Sequence, residues 1–204
     1  MDARVEKQQR APVFLGFRSK SPWKPDAAWF PAEARHVTGA CSVSDCLAEP
    51  PPGWLERWDY NCATCYPTEA EARASVPAER RGDFDLFAYW LMPVRREADG
   101  QETHVEPGDY FQVSQSPLPP AVGDVPGFEF IGYDVVAPRG PRSHGFDHSP
   151  LSCNGMAKDF AVNSACLIDD LETALRASQA FNAEQPEPGE YVVVRVARKS
   201  GRAR

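Results

Sequence analysis

A dense run of side chains able to carry a proton, hold a metal or attack an electrophile lies between His144 and Asn154. It holds His144, Asp147, His148, Ser149, Ser152, Cys153 and Asn154. On a helix, His144 and His148 would share a face and could hold a metal with Asp147 and Cys153. Pro141, Gly145 and Pro150 oppose a helix here, so such a site would depend on loop geometry. Cys153, activated by His148 or His144, is a second candidate chemistry, that of a nucleophilic pair. The structural alternative makes Asn154-Gly155 a tight turn whose backbone groups Ser149 and Ser152 satisfy. That alternative is favoured, because nothing nearby supplies an oxyanion site. Upstream, Asp134 ends an apolar strand beside Tyr133. Partly buried, it could act as a base, but anchoring the following loop is the favoured role.

A second constellation is Cys41-x4-Cys46 followed by Cys62-x2-Cys65. Zinc takes four ligands in a tetrahedron, and two closely spaced pairs can supply them. The second pair fits that spacing, while the first is wide and both lack knuckle glycines. Buried thiols in a loop-rich cap are therefore expected, with no cofactor, and structural zinc is the alternative. Gly-x-Gly-x-x-Gly, a Gly-Lys-Ser/Thr phosphate loop, His-Glu-x-x-His and Gly-x-Ser-x-Gly are all absent.

The elements that must position these residues follow from patterning. Val13 to Phe17 reads as a first strand and His36 to Val43 as a weak one. Phe84 to Met92 is bulky on both faces and should be a central strand. Asp99-Gly100 marks a hairpin turn whose return strand runs from Thr103 to Val113, interrupted at Pro107-Gly108. Phe128 to Val136 is a buried strand delivering the polar run, with Phe128 and Phe130 facing one way and Ile131 the other. Tyr191 to Ala197 is the last strand. Thr68 with Glu71 forms a capping box, predicting a helix from Glu69 to about Val76. The longest helix starts after Asp169 or Asp170 and runs to about Glu184, with Leu171, Ala174, Leu175, Ser178 and Phe181 as its apolar stripe. Trp54, Leu55 and Trp58 could share one side of a helical turn.

A chain of 204 residues, 42% of them hydrophobic, suffices for one domain with a sizeable core. The expected fold is α+β: a mainly antiparallel sheet of about five strands, two helices packed on it and long Pro-rich loops, with residues 1–11 and 199–204 as flexible tails. The 20 prolines place much of the chain in ordered loops. Twenty-nine acidic against 22 basic residues give a net charge of −7, which disfavours nucleic-acid binding and favours a basic partner. No apolar run approaches a membrane span, and the charged start is followed by no signal-peptide core, so a cytoplasmic protein is expected.

Phe128-Glu-Phe-Ile-Gly-Tyr-Asp-Val-Val136 and Ser149-Pro-Leu-Ser-Cys-Asn-Gly155 resemble segments of small bacterial α+β proteins of the immunity-protein type. The resemblance covers about a third of the chain and transfers no catalytic residues. It implies a protein that neutralises a toxin by covering its active site. Trp23, Trp29, Trp54 and Trp58, in aromatic-rich loops, are the candidate binding residues, although for Trp23 and Trp29 folding back as a flap over the core is the favoured reading. The leading expectation is a non-enzymatic protein-binding protein with a basic partner. A Cys/His- or metal-dependent enzyme centred on 144–154 is the alternative.

Overall fold

A computed structural model of the chain describes residues 11–20, 65–110, 125–138, 146–153, 156–185 and 189–200. The fold is α+β. Strands β1 (Val13–Lys20), β2 (Asp85–Leu91), β5 (Phe128–Pro138), β6 (Phe146–His148) and β7 (Val192–Lys199) form one antiparallel sheet in the order β1-β2-β7-β5-β6. A separate two-stranded ladder pairs β3 (Val94–Arg96) with β4 (Glu102–His104). Helix α1 spans Glu69–Ala74, the single turns α2 and α3 span Pro107–Tyr110 and Pro150–Cys153, and α4 spans Leu171–Glu184.

β7 occupies the centre of the sheet because both its faces are apolar. Val192, Val194 and Val196 join Phe87, Tyr89, Leu91 and Val136 on one face, under Val105, Ala165, Leu167 and Cys65. Val193 joins Val135, Ala137 and Tyr191 on the other, where α4 lays down Ala174, Leu175, Ala177 and Phe181. Burying one such aromatic side chain contributes about 1.5–3 kcal/mol. Strand periodicity puts Ala197 on the same face as Val193. There Ala197 packs with Phe14, Phe17, Ala88, Trp90, Phe128 and Ala72 of α1. The two longer helices thus lie on one side of the sheet. Among the described residues, the opposite side packs against Cys65, Val105, Ala165 and Leu167, with Tyr110 of α2 alongside.

The caps follow the sequence closely. The Thr68 side chain accepts from the Glu71 N–H and the Glu71 side chain accepts from the Thr68 N–H, completing the capping box. Asp170 caps α4 by accepting from the Thr173 N–H at 2.8 Å. α1 ends at Ala74, two residues before the expected stop.

Two expectations hold and two need correction. The long apolar strand is interior, between β1 and β7, and buried on both faces, with β7 the middle strand of the five. The hairpin does not return from that strand. Its arms are β3 and β4, and the segment expected to extend β4 turns into α2 at Pro107, where proline suits a first helical position. In β5, Phe128 and Phe130 face one way, paired with Lys199 and Ala197, and Ile131 faces the other. On the face they share, Phe128 is buried and Phe130 is 41% exposed, and a bulge follows between Phe130 and Gly132. Finally, β7 runs on to Lys199, which pairs with Phe128 and so belongs to the sheet and not to a tail.

Candidate functional site

The described part of the polar run, 146–153, divides between β6 and the single turn α3. His148 ends β6 and pairs with Ala137 across the ladder. Ser149 follows, and Pro150 opens the single turn α3, so the segment is a strand edge and a helical turn where the sequence suggested a loop. Asp134, at 0% exposure, accepts from the Ser149 hydroxyl at 2.6 Å and from the Val135 N–H at 2.9 Å. The Ser152 hydroxyl donates back to the Ser149 carbonyl at 3.3 Å. This is the anchoring role: a carboxylate inside β5, four residues before its end, holds the chain leaving β6.

His148 turns the other way. Its Nε2 lies 2.9 Å from the Tyr191 hydroxyl, and the two rings meet edge to face at 5.5 Å. Tyr191 is in turn clamped to α4: its carbonyl accepts from the Ser178 hydroxyl at 2.7 Å, and its ring meets Phe181 at 5.8 Å. The structure therefore places His148 in a bond to Tyr191, and Ser149 in a bond to Asp134. The side chains of Asp147 and Cys153, and all of His144, lie outside the described residues.

Two thiols are described. Cys166, at φ 58°, donates to the Leu151 carbonyl at 3.4 Å. Burial pushes its pKa up to about 12, and the negative Asp134 nearby adds to the shift. Burial likewise raises Cys65 to about 12, although Arg18 and Lys20 pull it back. Neither favours the thiolate needed for nucleophilic attack or metal ligation.

One organising residue escaped sequence reading. Asn163 donates through Nδ2 to the Ile131 carbonyl at 2.9 Å and to Asp169 at 2.8 Å, while its Oδ1 accepts from the Ala165 N–H at 2.9 Å. It ties the 160–170 segment to the bulge in β5. There Tyr133 and Ile168 exchange backbone hydrogen bonds at 2.7 and 2.9 Å. An asparagine in an irregular segment carries no periodic signal, and only its fourfold bonding capacity hints at the role.

Among the described residues, an open concavity lies between the β3–β4 hairpin and the C-terminal half of α4. It measures about 630 Å³ and is lined by Arg95, Glu97, Ala180, Asn182, Ala183 and Glu190 among others. The Arg95 guanidinium forks onto Glu97 at 2.8 and 3.0 Å. Its other nitrogen reaches the Tyr110 hydroxyl at 3.3 Å, and that hydroxyl donates to Glu190 at 2.6 Å. Burial first, and the Glu190 carboxylate second, raise the Tyr110 pKa to about 12. Gln179 donates to the Glu97 carbonyl at 2.6 Å, and Arg96 binds Glu172 at 2.5 and 2.7 Å, pinning the hairpin to α4. The sequence signal for this face was the polar and small set Arg176, Gln179, Ala180 and Ala183 at helical spacing, opposite the apolar stripe.

The remaining sequence candidates fall outside the described residues. These are Trp23, Trp29, Trp54 and Trp58, together with Cys41, Cys46 and Cys62, the weak strand at 36–43 and the Asn154-Gly155 turn. Among the described residues, no three His, Cys, Asp or Glu side chains group to hold a metal, and no helix is long and apolar enough to cross a membrane. Compared with known proteins, the chain matches no family model, no curated protein and no solved structure.

Proposed function

We propose that this is a cytoplasmic protein that acts by binding another protein, as an inhibitor of the immunity type. The observation that carries the reading is the contrast between its two polar regions. Among the described candidates, Asp134 is engaged by Ser149 and His148 by Tyr191, both in buried structural bonds. Exposed functional groups are instead gathered around a wide, open groove held by ion pairs. A net charge of −7 adds long-range attraction for a basic partner. The resemblance of Phe128–Val136 and Ser149–Gly155 to immunity-type proteins points the same way.

The test is to isolate the tagged full chain from its own cells, identify any bound protein, and reconstitute the pair from purified components. A stable complex in which the partner's activity is suppressed is the expected result. Turnover of a small molecule that Cys153→Ser abolishes, with the fold intact, would instead establish the Cys/His enzyme.

A further inference from the structure

We draw no further inference here: the strongest candidate, the surface patch on the helix-bearing side of the sheet where the exposed Phe130 ring meets Tyr133 and Arg195, carries nothing because nothing in the structure shows what covers it.

Discussion

Cys65 and Cys166 hold their protons for the same physical reason, the cost of placing a thiolate where water cannot reach it. With folded values near 12 against an ordinary 9.0, both are thiols in the folded chain until strongly alkaline pH. The sign of the stability effect follows. Their contribution is complete below the ordinary value and is lost as pH rises towards the folded one. Peptide mapping after brief iodoacetamide treatment at mildly alkaline pH should find both unmodified in the native protein and both alkylated in denaturant. Rapid native labelling of Cys166 would contradict its buried bond to Leu151. At this scale the sequence is only partly legible. It marks Asp134 as a loop anchor because a carboxylate ending an apolar strand needs donors. It cannot show that Ser149 is the donor, since that depends on how β6 returns to β5. Nor does it distinguish His148 as a ligand from His148 as the partner of Tyr191, a residue distant in the chain.

At the scale of elements, the bulge in β5 sets where the 160–170 segment can lie. Gly132 has φ 139°, and a Cβ there would stand 2.7 Å from that of Leu167. Gly132→Ala should therefore destabilise the fold by about 1–3 kcal/mol, read as a lower denaturant midpoint with unchanged m-value. A neutral result would mean the segment is free to shift away. The hairpin is held differently, by charge. The Thr103 hydroxyl and then Arg95 lower the Glu97 pKa, and hydrogen bonds from Arg96 lower that of Glu172. Lowered carboxylates contribute stability above their ordinary value of 4.5, and it is lost as pH falls through the folded values. Denaturant midpoints should fall on acidification below that value, and less steeply in Glu172→Gln. An identical slope in the variant would remove this ion pair from the account.

For the whole molecule, the antiparallel α+β class and both longer helices are legible because caps, prolines and periodicity are local signals. The strand order is not, since Val192–Lys199 and Asp85–Leu91 are both flanked on both sides and only tertiary pairing decides which lies in the middle. The groove escapes for a similar reason: the hairpin and α4 that form it are far apart in sequence, and neither bears a motif.

That strand order has a consequence for how the protein is made. Phe87 pairs with Arg198 and Val13 with Leu91, so each neighbour in the sheet waits for a segment synthesised much later. Among the described strands of the five-stranded sheet, β1 and β2 emerge first with each other as partners, leaving an apolar edge open until β7 arrives and inserts between β2 and β5. Closure of such distant pairs is slow, and the waiting intermediate is the species most exposed to self-association or capture by chaperones.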